Sequence, residues 1–556
     1  MWIKNLRNDL YKIKLYCKEI NNYLDILNSN KNNLSVMYFS LLNDYNETLK
    51  AILILLESNY HKEDELQTSR INNMSGIFIL LRKLIETEAT INVLLNNKEE
   101  LHELYLAQKE FDEAYIASKF KDSSSAFKQS KIPRSRYFWL NKYLGKNISS
   151  INDLINTGNY TKESKLMLEL WLYECNYMSH PNLYNDNVIV ENFNGMFINT
   201  LRYIFEVLEQ TSLAIYSMIE HIESVDKTKT SYQISSIYNK IPKFNIFNND
   251  YFEKSYLNNN IIYPFTNIDF NNYAYNIRAE YSFINASVTT TYESNKLSDR
   301  KRRTIGKLLD HYVEDLKDLV IGFYNKNNII FYTKIRQVFE SIAYIDLVLN
   351  MNEEEVEVYQ AYTDIQRHKR STYSIDKFNK LNNNNIKTDK ELINSDEKLT
   401  IEQAYNLNVK FVKDYFLNKF NVKIKTNLIK RTNSFAFDGK TVPSNWDLIR
   451  GMIDRNNAEN TLDVNYFDGL YSLSSLHCHV NYFTYSNHNL NEDRFYIEIM
   501  RNVMNVVKIN YDKLFDLLPQ ELKEILPLKN STVNKILYNL YNYDIIKVPN
   551  PYWALK

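Results

Sequence analysis

A repeated segment constrains the fold of this chain more than any other feature of its sequence. The stretch from Arg82 to Ala107 recurs from Arg336 to Ala361 without a gap, at an offset of 336 − 82 = 254 residues, and 11 of the 26 aligned positions are identical. An internal repeat of this size indicates two versions of one folding unit, so residues kept in both copies are candidates for what the unit needs. The kept residues include Arg82 with Arg336, Glu86 with Glu340, and Tyr105 with Tyr359.

Each copy later reaches a short segment in which a histidine is followed two positions on by an asparagine. The segments contain His180 with Asn182, and His479 with Asn481. Here the offset is 479 − 180 = 299, so the second copy has gained 299 − 254 = 45 residues between the two motifs. The polar stretch 380–399 has no evident equivalent in the first copy and belongs to this insertion.

The low content of turn-forming residues favours an all-α fold. The chain of 556 residues has only 9 Gly and 9 Pro, fewer than the turns of sandwiches and barrels require. With the repeat, this predicts two tandem, similar helical-bundle units joined by an Asn/Tyr-rich linker. The expected parts are an N-terminal helical extension at 1–32, the first unit at 33–224, a linker or arm at 225–296, the second unit at 297–520, and a C-terminal helical tail at 521–556.

Apolar residues at three- and four-residue intervals predict the individual helices of both units. Within the linker, the Tyr, Phe, Val and Thr content of 278–291 favours a short strand or an irregular arm. The expected helices lie roughly at 34–59, 68–96, 98–120, 162–178 and 190–222 in the first copy, and at 297–323, 327–351, 353–369, 463–476 and 493–518 in the second.

Charge and cysteine content narrow the functional classes. The 67 basic and 67 acidic residues balance, so no global field draws the chain to nucleic acid or to a membrane. The three cysteines are widely spaced and form no C-x-x-C pair, which fits reduced thiols in the cytosol rather than a zinc ribbon. The charged N-terminus and the short apolar runs predict neither a signal peptide nor a membrane span. We therefore expect a cytoplasmic protein without a cofactor.

The repeated polar residues suggest a chemistry if the arginine helix of each copy faces its own histidine segment. An Arg and a Glu at i,i+4 share one helix face, and a histidine beside them can act as general base or acid. Arginine holds phosphate groups with its bidentate fork, so the set fits metal-independent RNA cleavage by the 2′-hydroxyl. The candidate catalytic residues are Arg82, Glu86, His180, Arg336, Glu340 and His479, and the candidate binding residues are Asn182, Asn481, Tyr105 and Tyr359.

A structural role explains the same residues, and on the residues alone it is favoured. An Arg–Glu pair on a mostly apolar helix is often a buried ion pair that fixes helix register. A histidine and asparagine after a helix end often cap backbone groups, and duplicated folds keep such packing residues. A metal site at His477, Cys478 and His479 is not expected, because the first copy has Met178 and Ser179 at the first two positions.

The pattern R-x-x-x-E on a long helix, followed by a distant His and Asn, resembles a bacterial helical domain family of unknown function in the HEPN-like group. The resemblance covers both repeats, roughly two thirds of the chain. HEPN-like proteins are helical bundles, commonly dimers, and many are ribonucleases of toxin, abortive-infection and antiphage systems. The resemblance thus implies an antiviral defence or toxin-type protein that acts on RNA as a metal-independent ribonuclease, with RNA and a protein partner or second copy as its partners.

One departure from the group leaves an alternative open. Active HEPN ribonucleases carry Arg and His on one helix, and neither the Arg82 helix nor the Arg336 helix has that spacing. The alternative is a non-catalytic HEPN-like interaction or ligand-sensing module in a defence complex.

Overall fold

Helices account for nearly all of the structure, which confirms the predicted all-α class. The computed structural model describes residues 2–27, 33–59, 75–97, 99–119, 136–178, 193–225, 268–290, 297–382, 391–394, 397–424, 445–456, 462–480, 493–525 and 531–541. No helix in these ranges is both long enough and apolar enough to cross a bilayer.

The first half of the chain contributes eight described helices. Their bounds are α1 Trp2–Leu27, α2 Asn33–Asn59, α3 Ser75–Leu95, α4 Glu99–Lys119, α5 Phe138–Leu144, α6 Ile151–Thr157, α7 Lys162–Met178 and α8 Phe193–Val225.

The second half contributes ten described helices and one antiparallel hairpin, in which Glu391 pairs with Thr400. The hairpin lies in the insertion that the repeat offset predicts. The bounds are α9 Ile268–Thr290, α10 Asp299–Tyr324, α11 Asn328–Asn350, α12 Glu353–Asn382, β1 Glu391–Asn394, β2 Glu397–Thr400, α13 Ile401–Phe420, α14 Asn445–Asn456, α15 Val464–His477, α16 Asp493–Asp516, α17 Gln520–Ile525 and α18 Thr532–Tyr541.

Each of the ten helices predicted from apolar spacing is present, although some ends differ. The interpretation of 278–291 as a strand or arm is wrong, because Arg278 to Thr290 belong to α9, which packs against α10. The physical reason is spacing: the buried side chains of α9 recur every three or four residues, and helical periodicity outweighs β-propensity. These buried side chains are Ala274, Ile277, Tyr281, Ile284 and Val288.

The same packings recur in both halves of the chain. Helix α3, which carries Arg82, packs against α2, α6 and α7. Helix α11, which carries Arg336, packs against α10, α14 and α15, in the same order along the chain. This recurrence is what a duplicated unit requires, and the superposition of Arg82 on Arg336 stays a prediction.

The two halves interlock through a pair of reciprocal contacts. Helix α4 packs against α15, and α7 packs against α12, so helices of each half contact helices of the other. An ion pair of 3.1 Å between Lys119 Nζ and Asp468 Oδ2 joins α4 to α15. The end of α15 is therefore held beside the first half of the chain.

Buried lysine–aspartate pairs fix each arginine helix to the helix that precedes it. Lys83 Nζ on α3 lies 2.7 Å from Asp44 Oδ1 on α2. Lys334 Nζ on α11 lies 2.8 Å from Asp315 Oδ1 and 2.9 Å from Asp318 Oδ2 on α10. Because all five side chains are buried, removing one partner would strand a charge in the core.

We predict that Gly76→Ala lowers the free energy of unfolding by about 1–3 kcal/mol. A Cβ at position 76 of α3 would overlap the ammonium end of Lys334. That group cannot withdraw without breaking its ion pairs to Asp315 and Asp318. Urea denaturation followed by circular dichroism measures the change.

Gly451→Ala is the matched control on α14. Its Cβ would come no closer than 3.3 Å to another heavy atom, the Nη1 of the flexible Arg455 side chain. Helix propensity predicts a stability that is unchanged or higher by up to about 1 kcal/mol. An equal loss in both variants would show that the contact between Gly76 and Lys334 is unimportant.

Candidate functional site

A buried polar cluster forms where the end of α15 meets α3. The imidazole of His479 lies between Arg82 and Glu86, whose side chains leave α3 one turn apart. Arg82 Nη2 is 2.7 Å from His479 Nε2, and Glu86 Oε2 is 2.8 Å from His479 Nδ1. His479 immediately follows the C-cap of α15 and donates its backbone N–H to the Leu476 carbonyl at 3.0 Å, which fixes its position.

Glu86 receives further donors from the segment before α5. The Tyr137 hydroxyl donates to Glu86 Oε1 at 2.6 Å, and Arg136 Nη1 lies 4.0 Å from the same oxygen. The backbone N–H of Val480 donates to Glu86 Oε2 at 3.4 Å. The carboxylate is therefore held by contacts from both halves of the chain and is fully buried.

The hydrogen bonds assign the tautomer of His479. Since a carboxylate only accepts, Nδ1 carries the proton and Nε2 presents its lone pair to Arg82. Burial lowers the pKa of His479 well below its usual value, and the positive charges of Arg136, Arg82 and Arg336 act in the same direction. The imidazole is thus neutral at pH 7, the state that a general base requires.

Arg82 is a buried cation. Burial, followed by the charges of Arg336 and Arg136, lowers the pKa of its guanidinium to about 10, so it stays protonated at pH 7. The predicted ion pair between Arg82 and Glu86 is not formed within the described part of the chain, because the imidazole of His479 lies between the two groups.

In the second copy, the predicted ion pair is confirmed. Arg336 Nε donates to Glu340 Oε1 at 2.9 Å, and the Tyr471 hydroxyl donates to the same oxygen at 2.9 Å. Arg336 Nη1 also donates to Ser475 Oγ at 3.3 Å. Burial opposes the charge of Arg336, but Tyr471 and Glu340 hold its pKa well above the usual value.

The expectation that each histidine faces the arginine helix of its own copy is wrong for His479. Its imidazole is hydrogen-bonded to Arg82 and Glu86, which belong to the first copy. The reason is the interlocking of the halves, which carries the end of α15 across to α3. The sequence repeat predicts two units and does not show which faces they share.

The remaining candidate residues lie in two kinds of place. Tyr105 and Tyr359 are buried in aromatic packing, the first edge-on to Trp139 with ring centroids 5.3 Å apart, and the second beside Tyr344 at 6.3 Å. Their role in binding stays a prediction. The other candidates lie outside the described residues; they are His180, Asn182 and Asn481.

The side chains of the His-Cys-His segment have three different sets of partners. His477 donates from Nδ1 to the Leu473 carbonyl at 3.0 Å and stacks on Tyr332. Cys478 Sγ donates to the Ser474 carbonyl at 3.3 Å, and His479 bonds to α3. In the described ranges, no group of three His, Cys, Asp or Glu side chains is arranged to hold a metal ion.

The sequence interpretation missed four residues around the two arginines. For two of them a signal exists, because Tyr471 and Ser475 are four apart and share one side of α15, and His479 follows four residues later, just beyond its C-cap. For Arg136 and Tyr137 there is no such pattern, since they reach Glu86 from a short turn before α5. The missed residues are Arg136, Tyr137, Tyr471 and Ser475.

Comparison with protein-family models, with curated proteins and with solved structures finds no match to this chain. The likeness to the HEPN-like group therefore rests on the motif residues alone and stays a hypothesis. The geometry of the cluster provides the remaining argument for function.

We predict that Glu340→Ala lowers the free energy of unfolding by about 3–5 kcal/mol, because it leaves the buried guanidinium of Arg336 without its carboxylate. Differential scanning calorimetry measures the loss. The control is Glu357→Ala, whose ion pair with Arg300 is about half exposed on both sides, so it should cost less than about 1 kcal/mol. A Glu340→Ala protein that melts with the wild type would contradict a structural role for the pair.

A second prediction concerns acid stability. Burial lowers the pKa of His477 to about 3, so the folded state resists the proton that the unfolded chain binds near pH 6.5. The stability from this group is fully present above pH 6.5 and is lost as the pH falls towards 3, by about 1.4 kcal/mol per pH unit.

The variant His477→Phe keeps the stacking on Tyr332 and removes the titration. Between pH 6 and pH 4, we expect its free energy of unfolding to fall by about 1.4 kcal/mol less per pH unit than that of the wild type. Urea unfolding at a series of pH values measures it. Phe339→Leu, which removes no titrating group, should shift the whole curve without changing its slope. Parallel curves for wild type and His477→Phe would refute the assignment.

Proposed function

We propose that the protein acts on RNA as a metal-independent ribonuclease, with Arg82, His479 and Glu86 as its reacting group. One observation supports this above the others. His479 is held neutral in a single tautomer, with Nδ1 bound to Glu86 and the Nε2 lone pair directed at Arg82. A base oriented by a carboxylate beside a guanidinium is the minimum that cleavage by the 2′-hydroxyl requires.

The reaction assigns one role to each side chain. His479 Nε2 accepts the proton of the 2′-hydroxyl while the 2′-oxygen forms a bond to the adjacent phosphorus. The bond from phosphorus to the 5′-oxygen breaks, and the imidazolium returns its proton to that oxygen. Arg82 offsets the charge on the phosphate, and Glu86 stabilises the imidazolium. The products are a 2′,3′-cyclic phosphate and a free 5′-hydroxyl, so DNA is not a substrate.

The biological setting follows only from the resemblance to the HEPN-like group. On that basis we infer a cytoplasmic protein of antiphage defence, of the abortive-infection or toxin type. Its RNA target and any protein partner or second copy belong to the same inference.

The burial of His479 supports a second candidate function. His479 is only 2% exposed, and its Nε2 already accepts a hydrogen bond from Arg82. A group with this environment suits a non-catalytic interaction or ligand-sensing module, in which the cluster joins the two halves of the chain.

Cleavage of RNA by purified protein separates the two candidates. We expect the wild type to cleave a fluorescent RNA but not a DNA of the same sequence. His479→Ala should lower the rate by about 10²–10⁴-fold, as loss of a general acid–base group does, and an unchanged circular dichroism spectrum would show that folding is intact.

The matched control is His221→Ala on α8, a histidine that packs near Tyr38 outside the cluster. It should cleave at the wild-type rate. A wild type without ribonuclease activity, or a His479→Ala protein as active as the control, would favour the interaction module.

A further inference from the structure

The guanidinium of Arg82 is buried with no carboxylate partner among the described residues. Arg82 is 6% exposed, and its Nη2 donates a hydrogen bond to Nε2 of the neutral imidazole of His479. Its Nε has no hydrogen-bond partner in the described ranges. A buried cation that no carboxylate contacts directly is costly, and the charge of Glu86 acts on Arg82 only across the imidazole of His479.

Two more guanidinium groups approach the same place from other parts of the fold. Arg136, from the segment before α5, lies 4.0 Å from Glu86. Arg336, on α11, donates to Ser475 in the last turn of α15, four residues before His479. Three elements that are far apart in sequence thus direct arginines towards the end of α15.

The three arginines of the cluster differ in their acidic neighbours. Glu340 contacts Arg336, and Glu86 lies 4.0 Å from Arg136, which also interacts with Asp112, a carboxyl whose pKa burial raises to about 7; Arg82 is hydrogen-bonded to the neutral His479. The mutual repulsion of the arginines appears in the lowered pKa of Arg82, about 10, to which Arg336 and Arg136 contribute after burial. Among the described residues, Arg82 is the one of the three arginines that no carboxylate contacts, and a bound anion would neutralise it.

We propose that Arg82, Arg136 and Arg336 form a binding site for one phosphate group, and that its occupation uncovers the base. The phosphate would take the Nη2 donor of Arg82, so that His479 Nε2 loses the hydrogen bond from Arg82 and can accept a proton. Guanidinium forks match the several acceptor oxygens of a phosphate. The gating step rests on the proposed function, whereas the binding of phosphate does not.

The phosphate group can come from free inorganic phosphate or from RNA, and the experiment uses both. Inorganic phosphate and a short RNA with methylated 2′-hydroxyls, which cannot be cleaved, are titrated into the full-length protein at constant ionic strength. Calorimetry gives the affinity and thermal melting gives the stabilisation, which rises with ligand concentration. We expect both ligands to bind. Binding of the RNA without binding of inorganic phosphate would show that the site takes a phosphodiester.

Arg136→Gln is the decisive variant, because its side chain is 35% exposed and its loss should not disturb folding. Loss of one charge-assisted hydrogen bond predicts an affinity lower by about 10-fold or more. Arg82→Gln should lose binding to a greater extent. The matched control, Arg450→Gln on the surface of α14, removes an arginine from an exposed pair with Asp454 and should bind as the wild type does.

The outcomes separate this site from the proposed function. Binding of neither ligand, or binding that Arg136→Gln and Arg450→Gln weaken equally, would overturn the phosphate site. Binding of phosphate by a protein that does not cleave RNA would keep the site and refute the ribonuclease. Cleavage that persists at the wild-type rate in Arg136→Gln, without phosphate binding, would keep the ribonuclease and refute the site.

Discussion

A buried hydrogen bond of 2.8 Å between His479 Nδ1 and Glu86 Oε2 joins the two halves of the chain at their polar centre. Its donor belongs to the second copy and its acceptor to the first. Because both groups are buried, neither could exchange the other for water without a penalty. The bond also sets the tautomer of His479, so the chemistry of the cluster depends on the packing of α15 against the first half.

The two arginines of the sequence repeat each lie four residues before a glutamate on a helix, and they have different surroundings. Arg336 is neutralised by Glu340, on its own helix one turn away. In the first copy an imidazole occupies the space between Arg82 and Glu86, which turns an ion pair into a chain of three groups. In one copy the motif forms an ion pair within a helix, and in the other it holds a guanidinium and a neutral imidazole in contact.

The pattern of apolar residues predicts most of the helices of the fold. Helices of 14 to 33 residues repeat that pattern over several turns, so their existence is a local property of the chain. The residue types of 278–291 favour a strand, but their apolar spacing is helical, and the segment forms part of α9. Burial of Ile277, Tyr281 and Ile284 on one side of that helix shows that tertiary packing uses the spacing.

The sequence by itself determined that Arg82 and Glu86, and Arg336 and Glu340, share a helix face, because residues four apart are neighbours in any α-helix. It also determined that two such helices exist. Only the tertiary structure decided that His479 bonds to the first pair, 393 residues away from Glu86. That contact depends on two packings between the halves, that of α4 against α15 and that of α7 against α12. Packing between distant helices is set by side-chain shape over the whole interface rather than by any local pattern.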